Sequence, residues 1–407
     1  MKDFLLDDFC DEGTSLTELK NLLDKIEKQT AFLKVNSKDI QLLSYFDSNE
    51  EKLFFYKFNP QDKFGTARSV SLSKSQILNK GDFGKYITEI EQDSKLMFYD
   101  GYKSYLVSNT FTKTLDAFGL KGAFLSEPCH ERDQMIAKRF GIARECTIVM
   151  KNDKGTRKAF AVLGNKYTHI PQSILLDIVQ QLKDTGIMGT PTCRRWEVNH
   201  FYTSIYIEFP DKAEEFQILY GLEKKFVPGL LLTTSDTGDS SLSIRSTWRI
   251  NNSVSLHREI KHKHMGKVNP KDILEECEKT IFSEYTKLPE ALCDLMSVDI
   301  TNSTWDLTKK KGLRANEEAI RNTIKSAFKQ LGVVKAIGKK AEMSLYEQLC
   351  GEFDPAISFT AYDIAVTLLG MGDRVEGLSK TAQSELSKAM AKAPYISYSP
   401  EPTITLI

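Results

Sequence analysis

The sequence predicts an α+β fold: a mostly antiparallel sheet with packed helices and a helical C-terminal portion. Three observations carry this. Short β-rich runs recur in pairs around tight polar turns, as at Asp100-Gly101 and Asn152-Asp153-Lys154-Gly155. A β-branched stretch from Phe226 to Asn251 is folded back on itself by Ser235-Asp236-Thr237-Gly238-Asp239-Ser240. From Pro270 onward the apolar period changes from two to helical.

The elements follow in order. Residues 1–60 hold eight Lys and twelve Asp or Glu, a net charge of minus four. Within this acidic leader region Ser15 and Glu18 form a capping-box signature, and Leu16, Leu19, Leu22, Leu23 and Ile26 line one face of the helix it opens. Leu42 to Phe46 pairs with Leu53 to Phe58, and Leu96 to Tyr99 with Tyr102 to Val107, as hairpins. A short helix spans Glu131 to Phe140. Pro128 and Gly141 mark a boundary near residue 142, which divides the chain into an N-terminal α+β domain (1–142), a central antiparallel-sheet region (143–268) and a helical region (269–407).

In the central region Thr147 to Met150 and Ala159 to Leu163 form a hairpin. A helix starts at Pro171 and closes near Gly186, and Trp196 to Phe209 reads as one long strand. Val227 to Thr234 is a buried strand. In the strand from Ser241 to Asn251, Leu242, Ile244, Ser246, Trp248 and Ile250 share one face, with Ser243, Arg245, Thr247 and Arg249 on the other. That alternation makes Trp248 a core residue rather than a stacking platform. Beyond Pro270, Ile273, Leu274, Cys277, Ile281, Phe282 and Tyr285 define one helical face. A second, from Ala319 to Leu331, ends on Gly332 as a C-cap. Residues 359–391 add one or two helices, and the tail from Pro394 is extended.

Composition limits function. The chain has 407 residues, 41% of them hydrophobic, enough for a sizeable core. With 55 basic and 55 acidic residues the net charge is zero, so attraction to nucleic acid has to arise from local segregation of charge. Seven scattered cysteines without a CxxC pair suit core thiols in a reducing compartment. The N-terminus lacks the order of a signal peptide and no run reaches membrane-spanning length, so the expected location is the cytoplasm, without membrane contact.

Such segregation occurs between Arg245 and Lys267, where six Lys or Arg face the single acid Glu259. Arg245, Arg249, Arg258, Lys261, Lys263 and Lys267, with His262 and His264, form a candidate phosphate-contacting strip. Lys309-Lys310-Lys311, Arg314, Arg321, Lys325, Lys335, Lys339 and Lys340 supply a second basic segment. The bland alternative is two solvated faces that never meet.

Other motifs are weighed and set aside. Asp236-Thr237-Gly238 carries the letters of an aspartic protease, but such a site needs a second carboxylate and no second copy exists, so a turn is the better reading. His257, His262 and His264 sit among like charges that disfavour a metal cation. Cys129-His130 is a pair in sequence, not thereby in space. Gly332 to Lys340 has one residue too many for a phosphate-binding loop and lacks its Ser or Thr. No cofactor or metal is expected, and no complete catalytic motif points to an enzyme; a hydrolase with an unrecognised site is the weakest reading.

Leu163-Gly164-Asn165-Lys166-Tyr167, Thr234 to Ser240, Arg249, His264-Met265-Gly266-Lys267-Val268 and Thr360-Ala361-Tyr362, in that order over residues 143–391, resemble the phage and plasmid family called domain of unknown function 932. Two positions depart from it: Asp236-Thr237 stands where the family shows His-Asp, and Asn252-Ser253-Val254 replaces its Cys-x-Asn. The resemblance implies work on foreign DNA. Strip and resemblance together predict a phage or mobile-element protein that binds nucleic acid, single-stranded DNA by preference, and anneals strands in recombination or replication, as a homo-oligomer that aligns several strips. The alternative is a counter-defence protein that binds a host protein through the leader Met1 to Glu12, with Phe4, Leu5, Leu6 and Phe9.

Overall fold

A computed structural model describes residues 4–398, apart from 40, 49–51, 59–66, 74–95, 100–103, 108–114, 116–118, 121–129, 141, 143, 154–155, 239–240, 251–252, 265–268, 302–309, 372–374 and 376. The Asp100-Gly101 turn, Cys129, Lys267, Lys309 and the tail beyond residue 398 lie outside the described residues.

In chain order the strands are β1 (Cys10–Gly13), β2 (Thr30–Asn36), β3 (Gln41–Ser48), β4 (Lys52–Phe58), β5 (Ala67–Ser73), β6 (Leu96–Tyr99), β7 (Ser104–Val107), β8 (Glu145–Asp153), β9 (Thr156–Gly164), β10 (Thr192–Asn199), β11 (Thr203–Glu208), β12 (Phe226–Thr234), β13 (Leu242–Ile250) and β14 (Ser253–His262). The helices are α1 (Leu16–Gln29), α2 (His130–Phe140), α3 (Ile174–Thr185), α4 (Pro210–Tyr220), α5 (Pro270–Thr280), α6 (Lys287–Leu295), α7 (Lys310–Leu331), α8 (Val333–Ile337), α9 (Lys339–Cys350), α10 (Ala361–Leu369) and α11 (Lys380–Met390). The fold is α+β, as expected.

Local chemistry explains many boundaries. Ser15 Oγ accepts from the Glu18 amide and opens α1, whose Leu19, Leu22, Leu23 and Ile26 are buried. Gly186 closes α3 at φ 61°, a conformation that a Cβ disfavours. The stretch from Trp196 to Phe209 is two strands, not one. Asn199 Oδ1 accepts from the amides of Phe201 and Tyr202, and this side-chain-made turn reverses the chain without Gly or Pro.

Two sheets result. One has six strands in the order β1-β10-β11-β12-β13-β14, antiparallel throughout. The other has eight, β2-β8-β9-β7-β6-β3-β4-β5, antiparallel except for β7 beside β9. Neither follows the division expected near residue 142: β1 from the leader joins the six-stranded sheet, and β8 and β9 join strands of the N-terminal part. The division at 268 is crossed too, since one apolar core runs from Phe9 and Leu23 through Ile205, Leu230 and Ile244 to Leu288, Ile324 and Leu368. Strand pairing is non-local, so composition along the chain does not reveal it.

Pro228 lies within a central strand, where a missing amide normally breaks the ladder. Here its carbonyl accepts from Phe209, the residue that leaves β11 for α4, so the side lacking an N–H faces the point where the partner strand ends.

The sheets are joined by a buried polar seam. Lys151 on β8 and Lys158 on β9 are direct cross-strand neighbours and both are buried. Each has a carboxylate from elsewhere: Lys151 Nζ lies 3.3 Å from Asp236 Oδ2 in the β12–β13 turn, and Lys158 Nζ 2.9 Å from Asp7 Oδ1 in the leader. Lys158 also donates to the Leu5 carbonyl at 3.1 Å. Between them the Phe160 ring lies 5.0 Å from Lys151 Nζ and 4.2 Å from the His200 ring. Burial, and then the nearby Lys151 charge, hold the His200 imidazole well below its ordinary pKa; its Nε2 lies 2.7 Å from the Leu6 carbonyl, to which the neutral ring donates. The apolar part of the described leader is therefore largely interior. Phe4, Leu5 and Phe9 are buried, which removes the surface expected for a host-protein partner. The physical reason is again pairing at a distance, β1 on β10.

Candidate nucleic-acid interface

The alternation on β13 holds: Leu242, Ile244, Trp248 and Ile250 are buried on the helix-covered face, while Arg245 and Arg249 are half-buried on the other. Both arginines are occupied. Arg249 forks onto Glu208, Nε to Oε1 at 2.5 Å and Nη2 to Oε2 at 3.0 Å, and this hydrogen bonding raises its pKa further. Arg194 approaches the same carboxylate at 3.5 Å. Arg245 meets Glu259 at 2.6 Å, and Lys261 reaches the other Glu259 oxygen at 3.2 Å. Burial alone would raise the Glu259 carboxyl; hydrogen bonds from Arg245 and Ser243 outweigh it, and its pKa is lowered.

The expected strip does not form one surface. A bulge in the β13–β14 ladder breaks the register between Arg245 and Thr247. Arg245 pairs with Glu259 but Thr247 with Leu256, which leaves His257 and Arg258 together opposite Ser246. A bulge re-aims side chains in this way. Arg245, Arg249 and Lys261 consequently share the outer face, whereas Arg258 and His262 address the helical side, where His262 Nε2 faces Glu276 on α5 at 3.2 Å. Lys263 is exposed past the strand end, and His264 is buried with its ring stacked on Tyr167 at 5.2 Å and 9°. The three histidines considered as metal ligands thus have separate neighbours: Ser255 Oγ, which donates to the Trp248 carbonyl, accepts from His257 Nε2 at 2.9 Å. Burial lowers the His257 pKa to about 4, so its ring is neutral near pH 7.

What the structure does bring together is Arg258, Lys335 of the second basic segment, and lysines of other elements. They line a cleft of about 760 Å³ between β14, the turn from Phe282 to Glu284, α8, α11 and the turn from Ala393 to Tyr395. Five cationic side chains surround it, Arg258, Lys287, Lys335, Lys388 and Lys392, against Glu284 and Glu385. Glu284 lies 3.9 Å from Arg258 and 3.4 Å from Lys287. Glu385 takes a 2.7 Å bond from Lys388, which holds its carboxyl below the usual range. Lys335 and Lys392 are exposed and, among the described residues, have no carboxylate within ion-pair distance. Tyr395 stands at the mouth, 52% exposed. Burial, then Glu284 and Glu290, push its phenol up to about 12, so it stays uncharged.

Of the predicted residues that are described, only Arg258 and Lys335 reach this cleft. Lys287, Lys388, Lys392 and Tyr395 were missed; the four-residue spacing of Lys388 and Lys392 was the one local signal. Their convergence depends on α8 packing against α11, and Gly332 at φ 69° and Gly338 at φ 80° make the bends that put Lys335 there. The near-miss phosphate loop is thus a short helix between two glycine joints. Asp236-Thr237-Gly238 is a turn, with Gly238 at φ 81° and its carboxylate spent on Lys151. Cys146 and Cys277 are buried thiols, pushed up by burial to about 11 and about 12, but Cys293 is exposed rather than a core thiol. Among the described residues no group of His, Cys, Asp and Glu could hold a metal ion, and no helix is long and apolar enough to cross a membrane. No family model, curated protein or solved structure matches the chain.

Proposed function

We propose that the protein binds single-stranded nucleic acid in this cleft, as a phage or mobile-element protein that handles strands during recombination or replication in the bacterial cytoplasm. The observation that carries the reading is the convergence of Arg258 from the sheet with Lys335, Lys388 and Lys392 from the C-terminal helices, on an otherwise neutral chain. Cations around a groove neutralise phosphates, and an exposed ring such as Tyr395 stacks only on a base that is not enclosed in a duplex. The resemblance to domain of unknown function 932 supports the mobile-element setting. No catalytic role is assigned to the cleft.

The test is fluorescence anisotropy of labelled single- and double-stranded oligonucleotides at two salt concentrations. The double variant Lys335→Glu/Lys392→Glu is expected to weaken single-strand binding at least tenfold. It should also flatten the salt dependence, by about 0.7 in log–log slope for each phosphate that is no longer neutralised. Wild-type protein that leaves both oligonucleotides unbound at micromolar concentration, or a variant as tight as wild type, contradicts the reading.

One observation favours a protein partner instead. Ile218 and Leu219, adjacent on α4, are 84% and 66% exposed. If they form a docking surface, Ile218→Asp/Leu219→Ser should abolish capture of one defined host protein while leaving oligonucleotide binding unchanged. Capture that survives the double variant excludes this surface.

A further inference from the structure

We infer, on the basis of the cleft reading, that the ligand is a strand rather than a single nucleotide, because the cleft has a second cationic station at the far end of β14. Among the described residues β14 is the last strand of its sheet, so one of its edges has no strand partner there. Along it, Arg258 on the cleft side is followed by Lys261 on the outer face and Lys263 past the strand end, all three exposed, so a strand that reaches from the cleft to Lys263 rounds this edge. The edge ends at a separate cavity of about 470 Å³, lined by Lys263, Lys166, Asn165, Ser241 and the stacked pair Tyr167 and His264.

Lys166 and Lys263 are brought there by different elements, the segment after β9 and the segment after β14. The Thr168 amide donates to the His264 carbonyl at 2.8 Å and fastens these two segments to each other. Neither lysine has a carboxylate within ion-pair distance among the described residues. Beside the path Glu259 is engaged already, by Arg245 and Lys261. The path is therefore open to phosphates at both ends.

Spacing gives the length. From Arg258 to Lys263 is five residues, about 16 Å at the roughly 3.3 Å rise of a strand. A nucleic-acid strand advances about 3.4 Å per nucleotide when stacked, so about five nucleotides join the two stations. A mononucleotide fills one station, and a strand well beyond five nucleotides occupies both.

The experiment compares 5′-labelled oligothymidylates of 4 and about 15 residues by anisotropy, on wild-type protein, the cleft variant Lys335→Glu/Lys392→Glu and the far-station variant Lys166→Glu/Lys263→Glu. All carry exposed substitutions, and thermal melts check that each folds. The far-station variant is expected to bind the long strand about tenfold more weakly and the short one unchanged, whereas the cleft variant weakens both. Long-strand affinity unmoved by Lys166→Glu/Lys263→Glu, while the cleft variant still loses it, overturns the second station and leaves the cleft reading standing. Neither oligonucleotide bound by wild type overturns both.

Discussion

Replacing Asp236 by Asn is expected to destabilise the protein by about 3–5 kcal/mol, the cost of leaving one partner of a buried ion pair uncompensated. The side chains of Lys151 and Asp236 are only 2% and 4% exposed, and the ammonium lies 3.3 Å from the carboxylate. Asn keeps the shape and removes the charge, so packing is not what the substitution tests. Lys151 then faces its cross-strand neighbour Lys158, also buried, without the anion that offsets it. Replacing both members, Lys151→Met with Asp236→Leu, should recover most of the loss, because two apolar residues of similar volume dispense with the desolvation of two charges. Urea denaturation of the two variants and the wild type decides: equal midpoints for wild type and Asp236→Asn would show that the pair contributes nothing.

The second large effect separates two aromatic residues of one cleft. Trp248→Ala should cost about 3–5 kcal/mol of stability, as expected for a large core side chain cut to a methyl. Its ring lies edge-on to Tyr285 at 5.4 Å and beside Phe216 at 5.9 Å. Tyr285 in turn donates its hydroxyl to the Gly229 carbonyl, so a cavity here loosens the packing between sheet and helices. Tyr395→Ala should do the opposite, leaving the urea midpoint nearly unchanged and weakening single-strand binding by about 1–3 kcal/mol, the value of one stacked base. If Trp248→Ala weakens binding while the fold stays intact, the assignment of the two rings is reversed.

What the chain makes legible is periodic and local. The two faces of β13, the capping serine of α1 and the glycine that ends α3 were readable because each depends on residues within a few positions of one another. Trp248 could be placed in the core on alternation alone. The reading of Phe4, Leu5 and Phe9 as a surface failed because this segment meets Lys158 at Leu5 and His200 at Leu6 and Phe9, roughly 150–200 positions away. The basic strip failed for two reasons. Its counter-charges Glu208 and Glu284 lie on other elements, and on β14 Arg258 and Lys261, three positions apart, point to opposite faces, while the bulge shifts Arg258 away from the face of Arg249. The cleft itself was half visible, as two basic segments whose meeting no local pattern announces.

Pairing of β1 with β10 also has a meaning in time. Cys10 finds Asn199 as its partner, and a ribosome adding about 5–20 residues per second needs roughly 10–40 s to make the intervening chain. For that interval Phe9 has been synthesised and His200, against which its ring packs, has not. The nascent leader is then a natural client for chaperones, and starvation-slowed translation should lower the yield of native protein more than it does for a fold whose first strand meets its partner early.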